Sequence, residues 1–333
     1  MKDCLAARVF PTRRIGKAAL PRLILGHMPF VGESYQGQGK NSEYAARFSD
    51  VRNTVKILKL VVEKFGITVL SVGAMGGGAL ELLLLEAVKE AERATGTRIG
   101  VIPCAQLPLT ISGKPVDACR RWLTYYEAEL RACGDLERKY LEDPVLQCRE
   151  GWKREFGSAL RNSKPYGADE VETLRVEVEK LDRALLPLEG FEVLFVELGS
   201  ESDFLALTGR TDLLAEAADR VLEKFEGVLL GIHHAGTSIP ILEKSDVRFE
   251  GYVTPVNRLG VMMFPTADEA LRSIRGARKP AIAIKPLAGG RIGPRSAFQY
   301  VYAEAGMAFS MVGVGSEEEA EEDLSIAAEI VGG

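Results

Sequence analysis

All three histidines of the chain, His27, His233 and His234, directly follow short apolar runs. Glu197, Asn257 and Lys285 do the same, and Ser71 and Gln106 lie within or just beyond two further runs. Imidazole, carboxylate and amine are the groups that move protons near neutral pH or attack carbonyl carbon. Lys285 has Ala283, Ile284, Pro286 and Leu287 around it. Such apolar walls favour the neutral, nucleophilic amine unless Glu197 reaches it and holds the ammonium form. Two readings therefore stand side by side. Either Lys285, Glu197, His233, Asn257 and His27 form a catalytic set, or Lys285 and Glu197 make a salt bridge and the others are satisfied polar strand ends. His27, Glu197 and one of His233 or His234 would also suit zinc, iron or manganese. No H-x-H or H-E-x-x-H spacing supports that set, so no metal is expected.

The apolar runs that must position these groups are Leu23 to Gly26, Ile67 to Val72, Ile99 to Ala105, Val193 to Val196, Val228 to Ile232, Tyr252 to Val256, Ala281 to Ile284 and Met307 to Val314. They are continuous rather than alternating, as expected of parallel strands buried on both faces. Segments with helical periodicity lie between most of them, such as Val51 to Phe65 and Ala79 to Ala94. Eight strand-and-helix units predict an α/β fold, a (β/α)8 TIM barrel forming a single domain over residues 1–333. In such a barrel the polar residues at strand ends share one mouth. By two-residue alternation Glu197 shares a face with Val193 and Phe195, His233 with Leu229 and Gly231, and Lys285 with Ala281 and Ala283.

One connection breaks the rhythm. Gln106 to Phe191 is far longer than the roughly twenty to thirty residues that a crossover helix needs. Glu170 to Leu186 reads as the barrel's own third helix, leaving Thr110 to Tyr166 as an inserted helical subdomain after strand three. That insertion is either a lid over the mouth or, more plainly, a contact between copies in a homo-oligomer or a thermal buttress.

A net charge of −5 without a basic block argues against nucleic-acid and membrane-surface partners. No apolar stretch approaches the roughly 20 residues of a membrane span, and the first residues lack a signal peptide's apolar centre, so a cytoplasmic protein is expected. Asn and Gln are few beside Glu, Arg and Lys, a thermophilic balance. The five cysteines lack C-x-x-C spacing and are expected to be free thiols, although a disulfide among Cys119, Cys133 and Cys148 is conceivable in such an organism. Gly289-Gly290-Arg291 after the seventh run and Gly315-Ser316 before the last helix are positions where barrels bind phosphate. The acids Glu317, Glu318 and Glu319 equally suit a capped helix start.

Both ends of the chain resemble the aldo/keto reductase superfamily. RRIGKAALPRLILGHMPFVG looks like its N-terminal hairpin and first strand, and SVGAMGGGALELLLLEAV like the segment after its second. VTPVNRLG, AIAIKPLAGG and VGVGSEEEAEEDL look like its last strand ends. The resemblance implies a barrel with an N-terminal hairpin and an NAD(P) cofactor. Where it places the catalytic Asp, Tyr, Lys and His, this chain has Ser71, Gly76, Gln106 and Glu197. The pair that holds the nicotinamide amide is matched by His233-His234, the stacking aromatic by Ile284, and the residue receiving the 2′-phosphate by Gly315. The expectation is therefore an enzyme of lyase or isomerase type acting on a small anionic carbonyl metabolite by acid–base or Schiff-base chemistry. The alternatives are a divergent NAD(P)-dependent oxidoreductase and an inert binding or assembly module.

Overall fold

The computed structural model describes residues 9–74, 78–130 and 135–332. Eight parallel strands close into a barrel, in order Leu23–Leu25, Val69–Ala74, Gly100–Ala105, Val196–Leu198, Val228–Gly231, Gly251–Pro255, Ala281–Ile284 and Phe309–Val312. Each apolar run thus contributes to a strand, the fourth being split into Glu192–Val193, paired with Gly100 and Val101, and the barrel strand Val196–Leu198, and the fold is a (β/α)8 barrel. The inserted segment does not open the ring, because Glu197 pairs directly with Cys104 and Leu198 with Ala105 across strands four and three.

Ile24, Val69, Ile102, Phe195, Leu229, Val253 and Ile282 fill the barrel axis. An antiparallel hairpin, Thr12–Ile15 with Ala18–Pro21, adds Ile15 and Leu20 to that cluster and plugs the N-terminal end. Outside, the helix Val51–Phe65 starts where Asp50 accepts a hydrogen bond from the Arg52 N–H, and it stops at Gly66, φ 63°. Its buried stripe Ile57, Leu58, Val61 and Phe65 follows the helical period and packs in the outer core.

Alternation holds for Phe195 with Glu197 and for Leu229 with Gly231, but Val193 packs against the outer core, because the backbone is interrupted at Leu194 and Phe195. Phe195 and Leu229 face the axis. A Cβ on Gly231 would lie 2.8 Å from Glu197 Oε1, so the carboxylate lies over that glycine. Strand seven runs the other way: Ile282 and Ile284 face the axis, while Ala281 and Ala283 pack outward against helices. Small alanines suit the closely packed helix side, and the bulkier isoleucines fill the barrel.

The segment between strands three and four differs from expectation in its second half. The predicted single helix Glu170 to Leu186 is broken into Ala168–Glu172 and Val178–Leu185. Between them Arg175–Val176 pairs antiparallel with Leu109–Thr110. Leu174 is fully buried there, and the Thr173 hydroxyl ends the first helix by donating to Glu170 O at 2.7 Å. Leu109–Ile111 also pairs with Lys114–Pro115 around Ser112-Gly113, both with positive φ, as a tight hairpin turn requires. The remaining helices are Ala118–Glu129, Leu136–Glu142 and Trp152–Asn162.

Cys104, Cys119 and Cys148 are free thiols, and Cys133 lies outside the described residues. Among the described residues no helix is long and apolar enough to cross a membrane.

Candidate active site at the barrel mouth

Strand ends bring together His27, Ser71, Cys104, Glu197, His233 and Lys285. His27 is buried, and its Nδ1 lies 2.6 Å from Ser71 Oγ. Burial and the nearby Lys285 charge hold this imidazole down to about 4, so it is neutral at pH 7. Burial drives Glu197 the opposite way, up to about 7, despite a hydrogen bond from Cys104 and the attraction of Lys285. Burial and the Glu197 charge in turn raise the Cys104 thiol, which is therefore a hydrogen-bond donor rather than a nucleophile. His233 is held well below its ordinary value, first by burial and then by the charges of Lys285, His234, Arg149 and Arg121.

Lys285 reaches the mouth by a route that strand alternation does not describe. Its φ is +55°, a left-handed conformation just past the end of strand seven. Its Nζ donates to Tyr35 Oη at 3.2 Å and lies 4.4 Å from the centre of the Tyr35 ring. Tyr35 has φ +58°, so two non-glycine residues in a costly conformation meet here. Met262 and Ala288, also at positive φ, lie in neighbouring loops of the same end. No ion pair between Lys285 and Glu197 forms among the described residues, so the two are not locked together.

Asn257 is at the mouth but has another task. Its Nδ2 donates to Val261 O and its Oδ1 accepts from Val261 N, both at 2.9 Å, closing the loop after strand six. Both polar atoms of the amide thus serve the loop with one hydrogen bond each, a structural task that sequence reasoning did not assign to Asn257. The phosphate positions change role too. Arg291 donates to the carbonyls of Tyr35, Ala288 and Pro144, each at 3.0 Å, and so ties three loops together. Gly289 and Gly290, at positive φ, crowd Tyr35 and Gln36. The Gly315 N–H donates to Glu319 at 2.7 Å, and Ser316 accepts from the Glu319 N–H. The acidic first turn serves as a helix cap, with the Gly315 and Glu319 N–H groups engaged by its own side chains.

The inserted helices lie over this mouth. Arg121 pairs with Glu201 at 2.5 Å just past strand four. Asp143 accepts from Met262 N at 2.7 Å, and the Cys148 thiol donates to Tyr35 O at 3.1 Å. His234 turns away from the barrel axis into the insertion, where its Nδ1 is 3.0 Å from Glu129 Oε1. Tyr140 donates to the other oxygen of Glu129, and Phe264 stacks on the His234 ring at 4.9 Å. The Glu129 charge raises His234 above its ordinary value against the opposing effect of burial. Asp203, fully buried, accepts from His233 N at 2.7 Å and from Ser238 Oγ at 2.6 Å, and so fixes the turn that carries both histidines.

Sequence reasoning missed Tyr35, Arg121, Glu129, Arg149 and Asp203. Tyr35 sits in a loop rich in Gly, Gln and Ser with no periodicity to flag it. Arg121, Glu129 and Arg149 belong to an insertion whose position over the barrel no local pattern encodes. Among the described residues no three His, Cys, Asp or Glu side chains come together as a metal site.

No family model matches the chain, and no curated protein does. Among solved structures, two of a protein assigned as an aldo-keto reductase from Pseudomonas aeruginosa align with 96% of this chain and 95% of their own, at 15% identity and TM-scores of 0.53 and 0.51. A Bombyx mori aldo-keto reductase in complex with NADP aligns with 97% of this chain and 92% of its own, at 10% identity and a TM-score of 0.49. The likeness to the Pseudomonas structures extends over the whole barrel and establishes an aldo-keto reductase-like fold. A shared fold does not carry an activity with it.

At the described positions that the resemblance matches to the nicotinamide cradle, several side chains have other partners. Ser71 is hydrogen-bonded to His27, Gln106 is exposed, and Gly76 lies outside the described residues. Ile284 packs in the barrel interior, and the His234 side chain is engaged by Glu129. A Cβ at Gly315 would meet the Tyr44 ring at 2.6 Å, and acidic residues follow at once.

Proposed function

We propose that this chain is an enzyme acting on a small carbonyl-bearing acid at the barrel mouth by proton transfer and Schiff-base formation, without hydride transfer. The reading is carried by placement: strand ends put the buried Glu197 carboxyl, which burial pushes up to about 7, within the electrostatic reach of the Lys285 amine that rests on Tyr35. A group poised near the working pH is what general acid–base catalysis needs. Glu197 takes a proton from the Lys285 ammonium, freeing the amine to attack the carbonyl carbon. The attacking nitrogen passes one of its protons to the carbonyl oxygen and the same carboxyl returns the other, so that water leaves and a protonated imine remains. The iminium withdraws electrons from the adjacent carbon, which favours loss of a proton or cleavage of a carbon–carbon bond there. Tyr35 and His233 supply hydrogen bonds beside the reacting atoms. The insertion lies over the mouth and leaves Lys285 half-buried.

The second reading, an NAD(P)-dependent reductase, draws on the fold shared with proteins assigned as aldo-keto reductases. One pair of measurements separates them. Borohydride added in the presence of pyruvate and longer 2-oxo acids should leave a mass adduct on Lys285 that is absent in Lys285→Ala. If no adduct forms and NADPH instead quenches protein fluorescence with micromolar affinity, the reductase reading replaces ours.

A further inference from the structure

Where the insertion meets the mouth there is a cavity of ≈ 20 Å³, lined by Arg121, Trp122, Arg149 and Ser200 on one side and His233 and His234 on the other. Three buried nitrogens of these lining residues have no hydrogen-bond partner: Arg121 Nε, Trp122 Nε1 and His234 Nε2. Buried donors are almost always satisfied, and each one left without an acceptor costs on the order of 1–3 kcal/mol. Three around one small space point to a missing acceptor. The Arg149 guanidinium lies 5.2 Å from the Trp122 ring centre and 5.6 Å from that of Trp152, with no ion pair or hydrogen bond among the described residues. Its charge and that of Arg121 repel each other, which lowers Arg149 further after burial has done so.

The negative groups nearby are committed. Glu201 pairs with Arg121 through one oxygen and accepts from Leu107 N through the other. Glu129 holds His234 and Tyr140. Asp203 also lines the cavity, but it accepts from two backbone N–H groups and Ser238. Because Glu129 engages His234 at Nδ1, protonation of this imidazole presents Nε2–H as a donor.

We propose that this cavity binds the carboxylate of the substrate, held by Arg149 and the Nε of Arg121 with Trp122 Nε1 and His234 Nε2 as further donors. A planar carboxylate suits the guanidinium forks better than a tetrahedral phosphate, and a space that holds about one water admits a single carboxylate oxygen more readily than a phosphate. The assignment rests on the proposed function and narrows it: His233 borders the same cavity and also feels the charge of Lys285, so a short acid seated here by its carboxylate lies within the electrostatic reach of that amine. The substrate class is then a short-chain oxo acid, and the insertion selects it.

The two tryptophans of the chain, Trp122 and Trp152, both lie in this cluster, so intrinsic fluorescence reports on the site directly. Acetate and oxalate, titrated at constant ionic strength, should change the emission saturably in the wild type and in Trp152→Phe. Arg149→Gln should weaken that binding by roughly tenfold or more, as loss of a charge-assisted contact does. No saturable change, or an unchanged affinity in Arg149→Gln, overturns the proposal. Saturation by inorganic phosphate but not by the carboxylates overturns the ligand class. Because the probes do not react, carboxylate binding without a Lys285 adduct would leave this site standing and remove the chemistry proposed above.

Discussion

Glu197 and His27 are two buried groups of opposite kind in one mouth, and their effects on stability oppose each other. Glu197 is raised from 4.5 to about 7. The folded state therefore favours its protonated form, and the associated stability is complete below pH 4.5 and lost as pH rises to about 7. His27 is lowered from 6.5 to about 4, so its contribution is complete above pH 6.5 and lost as pH falls to about 4. Each shift corresponds to roughly 3 kcal/mol, so across pH 4.5 to 6.5 the two slopes nearly cancel in the wild type. Relative to the wild type, Glu197→Gln should give a melting temperature that rises more steeply with pH in this window, which is the histidine's slope. His27→Gln should expose the opposite slope. Calorimetry at pH 4.5, 5.5 and 6.5 reads both, and parallel profiles for all three proteins would show that these groups are not perturbed as described. Lys285 offers a separate test of backbone strain. At φ +55° glycine is favoured over alanine, so Lys285→Gly should be more stable than Lys285→Ala by about 1 kcal/mol, while neither forms an adduct. Denaturant titration of the two variants measures the difference.

At the level of single elements, the helix Ala118–Glu129 and the turn carrying His233 and His234 are joined through one buried carboxylate. Glu129 and His234 are 0% and 1% exposed. Removing one partner of such a pair leaves the other uncompensated and costs about 3–5 kcal/mol. Glu129→Ala should therefore unfold at markedly lower denaturant concentration, and Glu129→Gln, which keeps a hydrogen-bond acceptor, should recover part of the loss. Equal midpoints for Glu129→Ala and the wild type would contradict this account. Nothing near Glu129 in the sequence announces its role. It reads as one acid among several on an amphipathic helix, because its partner is distant in the chain and the packing that joins them is tertiary. The strands were legible for the converse reason. A parallel barrel strand is buried on both faces by its own architecture, so its residue types alone reveal it. The residues at strand ends were legible as a set for the same reason, but their individual tasks were not. Asn257 and Lys285 both follow apolar runs, yet one closes a loop and the other turns toward the mouth through a left-handed backbone that no two-residue period describes. The break in the helix predicted over Glu170 to Leu186 arises similarly, from pairing with Leu109–Thr110 across a long stretch of chain.

For the molecule as a whole, the barrel and the insertion share one continuous hydrophobic core, in which Trp122, Tyr140 and Phe156 are clustered with Phe204 and Phe264. Removing Thr110 to Tyr166 should thus leave a closed barrel with a bare apolar mouth, detectable as binding of a hydrophobic dye together with retained far-ultraviolet dichroism. A deletion variant with no dye binding would mean that the mouth is covered some other way. The chain leaves for this excursion and returns from it at a single place, where Leu109 faces Val176 and Thr110 faces Arg175. Antiparallel partners lie about 5 Å apart, so the two ends are held together independently of everything between them. The entropy of closing that long loop is settled locally at this neck, and the ring of strands meets it as though it were a short turn. A break in the peptide chain inside the insertion should accordingly leave two fragments that elute as one species and separate only in denaturant.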